Sequence, residues 1–151
     1  MAPDERAGPT SGPSFIFGIA IGQAFTGGTP GSGGTIDVHD NIVRRVGYGA
    51  LLQAADQVTF RRNQVSNTYY GIFAQATTDS AIRRNTIGAK AVGVYLADSA
   101  DNEVVSNAVS GVGGICYDTS SGGSGTAGTD NHWADNTATV ASSPVGICAT
   151  P

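Results

Sequence analysis

Charge is scarce in this chain. Only 13% of its 151 residues are Asp, Glu, Lys or Arg, and the formal balance of −4 excludes the basic surface that a nucleic-acid partner requires. Long hydrophobic runs are missing too. The most apolar stretch, Phe15 to Ile21, is broken by Gly18 and falls short of a membrane-spanning helix. Nor does it read as a secretory signal, because Asp4 and Glu5 stand beside Arg6 where such a signal carries a positive region. Metal ligands are few. There are two cysteines and two histidines, and neither His39 nor His132 falls in the column of the cysteines, so no metal and no cofactor is expected. A paired-carboxylate glycosidase is disfavoured because the acids lie mostly in turns without a defined pair. Phosphate-binding loops are disfavoured because no helical pattern follows the glycine clusters.

What the chain does have is a repeat. Asn41, Asn63, Asn85, Asn107 and Asn136 stand at intervals of 22, 22, 22 and 29 residues. Three residues before each stands Val38, Phe60, Ile82, Val104 or Trp133, and two after it Val43, Val65, Ile87, Val109 or Ala138. Glycine follows eight residues on at Gly49, Gly71 and Gly93, then at Gly114 and Gly146 with small register shifts. After each glycine comes a short strand-like run, starting at Ala50, Ile72, Val94, Ile115 and Ile147, whose first and third residues are expected to point inward. Asp56, Asp79, Asp101 and Asp130 then open the next block as turn residues.

A period of 22 with two turns in each block leaves no room for a pair of helices, so the repeat predicts strands. Stacked turn on turn, equivalent side chains would lie about 4.8 Å apart, and the asparagines would form a hydrogen-bonded ladder. Asparagine also tolerates a left-handed corner, a second reason to expect it there. The fold class is therefore all-β, a parallel β-helix of about five to six coils spanning 15–151, with 1–14 irregular. Gly18 to Ile21 belongs to an earlier coil, and the glycine-rich stretch 26–35 is a loop inserted behind it. A second insertion, Ser120 to Asp130, accounts for the interval of 29 and is expected on the surface, where polar loops can line a saccharide groove. No cap is evident at either end. This suggests the C-terminal part of a longer solenoid, or coils that associate end to end or side by side.

Blocks such as Phe60-Arg61-Arg62-Asn63-Gln64-Val65 and Ile82-Arg83-Arg84-Asn85-Thr86-Ile87 resemble the right-handed parallel β-helix repeats of the pectate-lyase-like superfamily. That group includes carbohydrate-binding and sugar-hydrolase repeats and a related copper-chaperone accessory family. The resemblance implies a right-handed coil and an extracellular or cell-surface protein that meets polysaccharide.

Three sets of residues are candidates for function or stability. Cys116 and Cys148 each lie two residues past a block glycine, which places them in equivalent, outward-facing positions of adjacent coils. Parallel neighbours fall within the ~4.4–6.8 Å Cα range of a disulfide. A bond would imply an oxidising compartment, and two free thiols in a surface column are the alternative. Arg61 and Arg83 follow His39 in an outward column, with Arg62 and Arg84 beside them. Such a cluster suits the carboxylates or sulfates of an acidic polysaccharide, with Asp37, Asp40 and Glu103 as the competing partners. Tyr69 and Tyr70, with Tyr48, can supply stacking rings for sugar.

Asp37-Val38-His39-Asp40 resembles the Asp-Pro-His-acid motif of the mannuronan C5-epimerases, with Val38 in place of the proline. That resemblance implies Asp37 and His39 as catalytic residues, His39 acting as base or acid at a sugar carbon and Arg61 neutralising the uronate carboxylate. Three functions remain in view: polysaccharide binding along the coil face, uronate epimerase or lyase chemistry around His39, and a purely structural module.

Overall fold

Alternating apolar residues between fixed corners are what each block encodes, and the backbone converts them into stacked coils. The computed structural model describes residues 16–22 and 35–151. The irregular segment expected at 1–14, and all but the last residue of the loop expected at 26–35, lie outside the described residues. Thirteen strands follow in order: β1 (Phe17–Gly22), β2 (Ile36–His39), β3 (Ile42–Arg44), β4 (Tyr48–Gln53), β5 (Val58–Arg61), β6 (Gln64–Gln75), β7 (Ala81–Arg83), β8 (Thr86–Ala97), β9 (Glu103–Val105), β10 (Ala108–Ser110), β11 (Cys116–Asp118), β12 (His132–Ala134) and β13 (Thr137–Ala138). A single 3-10 turn, Thr126–Gly128, lies in the 120–130 insertion.

All the strand pairs are parallel. One sheet runs β1-β4-β6-β8-β10-β13, with β3 on β6 and β11 on β8, and a second runs β12-β9-β7-β5-β2. The result is an all-β parallel solenoid of about four turns. Registers are spaced by the repeat: Val38 pairs with Phe60, Phe60 with Ile82, Ile82 with Val104, and Val104 with Trp133. These side chains and the inward column Ala50, Ile72, Val94 fill a narrow core between the sheets.

The close approach of neighbouring coils within the larger sheet is why glycine recurs. A Cβ on Gly71 would stand 2.3 Å from Ile87 Cγ2 and 2.2 Å from the Gly93 carbonyl oxygen, so Gly49, Gly71 and Gly93 leave space for the apolar residue of the next coil. The fourth glycine is not a member of that column. Eight residues past Asn107 stands Ile115, whose carbonyl accepts the Gly93 N–H at 2.9 Å, and Cys116 pairs with Val94. The expected register was thus one residue out in this coil. Ile115 is not stacked inside, and Cys116, expected to face outward, is fully buried in the inward column.

Each corner has its own polar ladder. Asn63 Oδ1 accepts both the backbone N–H and the side-chain amide of Asn41, and the pattern continues through Asn85, Asn107 and Asn136 with backbone bonds of 2.9–3.0 Å. The left-handed residue is not the asparagine itself, contrary to expectation. It is the residue before it, Asp40, Arg62, Arg84, Ser106 and Asp135, with φ of 53–58°. The asparagine therefore serves as the rung, while its predecessor makes the bend. A second ladder links Val58, Ser80, Asn102 and Asn131, and a third links Thr77, Ser99 and Ser120. Asp56 stands one position off the acidic column assigned to it: it pairs with Thr78, while Gln57, Asp79 and Asp101 share the left-handed conformation.

Near the C-terminal end further residues stack on the coil of β11 and β13. Residues 139–149 return across the last coil, where Ile147 is buried and Cys148 is bonded to Cys116 with Cα atoms 6.2 Å apart.

Candidate functional site

On the second sheet the repeat sets His39, Arg61, Arg83, Val105 and Ala134 in one outward column. Opposing charges on the two flanking coils meet the arginines. Arg61 donates to Asp37 from Nε at 2.9 Å and Nη2 at 2.7 Å, and Arg62 holds Asp40 in the same two-pronged way at 2.9 and 2.7 Å. Arg83 is paired with Glu103. Among the described residues Arg84 has no ion-pair partner, so one guanidinium charge of the four is left unmatched. The hydrogen bonds from Arg61 draw the Asp37 carboxyl below its ordinary range, and Arg62 followed by His39 does the same more strongly to Asp40. In return Asp37 holds Arg61, and Asp40 holds Arg62, more firmly protonated than a free guanidinium. A shallow depression of about 240 Å³ lies among the four arginines, Glu103 and Ser106.

His39 lies beside this stripe. Its Nδ1 is 2.8 Å from Asp40 Oδ2, which fixes the ring proton on that nitrogen, and both side chains are about half exposed. Asp37 and His39 do share an outward face, and each is already engaged by a neighbour.

Tyr69 and Tyr70 lie elsewhere, beyond the left-handed bend at Asn67 and on the long arm of β6. Tyrosine does not line the arginine depression, so the two halves of the expected binding set occupy different arms of the coil. Around Tyr70 the outer side of the first sheet carries a row of rings that the sequence reading did not assemble. Tyr48 stacks on Tyr70 with centroids 4.9 Å apart and planes 19° apart, and Phe17 continues that column at 5.3 Å. Next to it Phe73, Tyr95 and Tyr117 follow one another at 4.9 and 5.0 Å. Tyr69 meets Tyr70 edge-on and remains 56% exposed, so it is the ring most open to a ligand. Burial, with Tyr70 and Tyr69 nearby, pushes the Tyr48 phenol up. The signal for the second column was present in the alternation, since Phe73 and Tyr95 hold the outward middle position of their runs. The one-residue slip of the fourth run put Cys116 where Tyr117 belongs.

The 120–130 insertion is folded rather than loose. Ser121 and Thr129 bridge its two sides, and Thr126 accepts the Trp133 N–H through Oγ1 at 2.9 Å. Beneath it lies Asp118, a carboxylate on the inward column that follows Leu96. It accepts from Ser120 N, Asn131 Nδ2 and Trp133 Nε1 at 2.9, 3.1 and 2.8 Å. Those bonds account for a buried charge that would otherwise be costly.

These features define a class: a parallel β-solenoid module that presents rows of equivalent side chains on its coil faces and is closed by a disulfide at one end. Residues 29–145 match the family model described as periplasmic copper-binding protein (NosD), and the chain belongs to that family. No curated protein and no solved structure matches it. The Cys116–Cys148 bond and the family's periplasmic description are both consistent with a location outside the reducing cytoplasm.

Proposed function

We propose that this chain is a periplasmic or extracellular glycan-binding module whose contact surface is the aromatic face of the larger sheet. The observation that carries the proposal is the row of outward rings, Tyr48, Tyr70, Phe73, Tyr95 and Tyr117 with exposed Tyr69 at its side, on a rigid parallel scaffold. Aromatic side chains offer the C–H faces of a sugar a large apolar contact, and the phenols add hydroxyls where the sugar has its own. The resemblance of the repeats to those of sugar-acting β-helices supports the same reading. The arginine stripe supports it less, because three of its four charges are met by carboxylates. Arg84 favours a second reading in which an acidic glycan also touches the second sheet. Asp37 and His39 are both engaged by neighbours, which favours binding over uronate chemistry at this face.

The family's description names copper, and the donor set of the described residues does not fit a protein-held copper ion. Among the described residues no three His, Cys, Asp or Glu side chains come together, and both cysteines are in the disulfide.

Binding of soluble polysaccharides, measured by affinity electrophoresis and calorimetry, tests the proposal. Tyr69→Ala is expected to weaken the interaction on the order of tenfold, about the worth of one lost aromatic contact. Removing Arg61 and Arg83 together should matter only for an acidic glycan, whose affinity would also fall steeply with added salt. Failure of the wild-type protein to bind any neutral or acidic polysaccharide would leave the structural module as the better reading.

A further inference from the structure

We infer that the C-terminal end of the aromatic row is a terminal, solvent-open subsite for a single neutral sugar unit, with the ring of Tyr117 as its platform. The inference rests on the glycan-binding reading above and adds to it a position and a ligand class. The column Phe73, Tyr95, Tyr117 stops because the next register position is Ser143, bridged to Tyr117 and bonded through Ser143 N to Cys116 O at 3.0 Å. A short side chain therefore succeeds a ring. On that side Tyr117 lines a depression of about 310 Å³ between the folded insertion and the return segment. Ligand pockets run from about 300 to 1,000 Å³, so this one holds a small unit rather than a length of polymer.

Its lining suits an uncharged polyol. Tyr117, Ala127 and Pro144 give apolar surface, while Thr119, Ser121 and Ser143 bring hydroxyls to the rim. The one carboxylate at the site, Asp118, is buried with its oxygens taken up by Ser120, Asn131 and Trp133, so it offers no free acceptor to a ligand, and its negative charge disfavours an anionic one. The walls are also preformed. The insertion is held by Gly125 N to Thr129 O at 2.8 Å and Thr126 N to Asn131 O at 2.9 Å. The opposite wall is held beside the Cys116–Cys148 bond. A cleft that need not be ordered on binding loses less affinity to entropy.

The test uses the intact, oxidised protein with hexaoses of glucose, mannose and xylose as neutral probes and a galacturonate hexaose as the acidic one, read by calorimetry and amide chemical shifts. Tyr117→Ala is expected to weaken the best neutral probe tenfold or more. Because that variant removes a ring from the column and can unsettle the fold, Ser143→Phe is the companion. It continues the ring column over Tyr117 and fills the depression, so it should keep the melting temperature while abolishing the same binding. Shifts clustered at residues 117–121, 127–129 and 143–144 with the neutral probe would support the subsite. If both variants bind as the wild type does while Tyr69→Ala loses affinity, glycan binding stands and the subsite is overturned. If the acidic probe binds at 117–144 more tightly than every neutral one, the ligand class is overturned. If the wild type binds none of the probes, the glycan reading fails and the subsite with it.

Discussion

Between residues 56 and 99 the coils are copies of one another, whereas from 108 to 149 contacts that occur once are added to the last rungs of the same ladders. In the copied part each stabilising element is a column: an apolar stack, an amide ladder, a glycine that admits a side chain of the neighbouring coil. Each rung leans on the rung above and below, so the energy is spread along the axis as in other repeat architectures. At the C-terminal end the inward column changes from Val94 to Cys116 and from Leu96 to Asp118. A covalent bond and a hydrogen-bonded carboxylate are added there to the packing. Position 116 illustrates the difference: its register neighbour Val94 is an apolar residue of the core, whereas Cys116 is bonded to Cys148.

The strongest way to break this comparison is to remove the disulfide. It links residues 32 apart, and closing a loop of that length stabilises by about 4 kcal/mol in the chain-entropy account. The double variant Cys116→Ala/Cys148→Ala is expected to lose about that much in urea unfolding. Amide hydrogen exchange should quicken first in residues 108–149 and last in β6 and β8. Uniform loss of protection along the chain would show that the end is not a separate element.

The next effect sharpens the comparison inside the ladder. Asn85 is buried and receives two bonds from Asn63 while donating to Phe60 O and Asn107 Oδ1. Asn85→Ala leaves the Asn63 N–H without its acceptor, and a buried unsatisfied donor together with the lost amide bonds costs roughly 2–3 kcal/mol. Asn41 occupies the first rung and is exposed, so water replaces what Asn41→Ala removes and the cost should stay within about 0.5 kcal/mol. Equal costs at the two rungs, by thermal or urea unfolding, would mean that position in the ladder does not matter.

The same division explains what was legible in the sequence. The asparagine spacing and the apolar columns exposed the parallel coil stack, because copies must align to be stacked. Ser80, Asn102 and Asn131 repeat the intervals of 22 and 29 and could have been found in the same way, although mixing Ser with Asn hides the column from a search for one residue type. The single contacts left no such trace. Gly114 looked like the column glycine and drew Cys116 to the outer face, whereas counting eight from Asn107 would have placed it inside. Asp118 cannot be recognised as a buried hub without knowing that Trp133 and Asn131 lie above it. Of the candidate site, the arginine column and its three acidic partners were readable from register. The aromatic row was readable from the alternation as far as Tyr95, and its last ring, Tyr117, was hidden by the same one-residue slip.

The smallest effect concerns the surface of the copied part, where charge rather than packing is repeated. Asp37 and Asp40 are about half exposed, and their pairing with Arg61 and Arg62 holds both carboxyls below the usual range. A carboxylate with a depressed folded-state pKa contributes its stability above the unfolded value and loses it as pH falls through the lower folded value. Neutral and mildly acidic solutions should therefore show no change from these groups. Their loss is confined to pH below the ordinary carboxylate range, and it is too small for a melting curve to isolate. Carbon-detected NMR titration of the side-chain carboxyls is the suitable measurement. Both should titrate below the same residues in an unfolded peptide, and Arg61→Ala should return Asp37 towards the ordinary value while leaving Asp40 low, held by Arg62 and His39. Added salt should relax both shifts in part. If Asp37 titrates as a free carboxyl in the wild type, Arg61 is unpaired in solution. The second sheet then carries more free positive charge than one guanidinium, and an acidic glycan across Arg61, Arg83 and Arg84 becomes the stronger reading of this face.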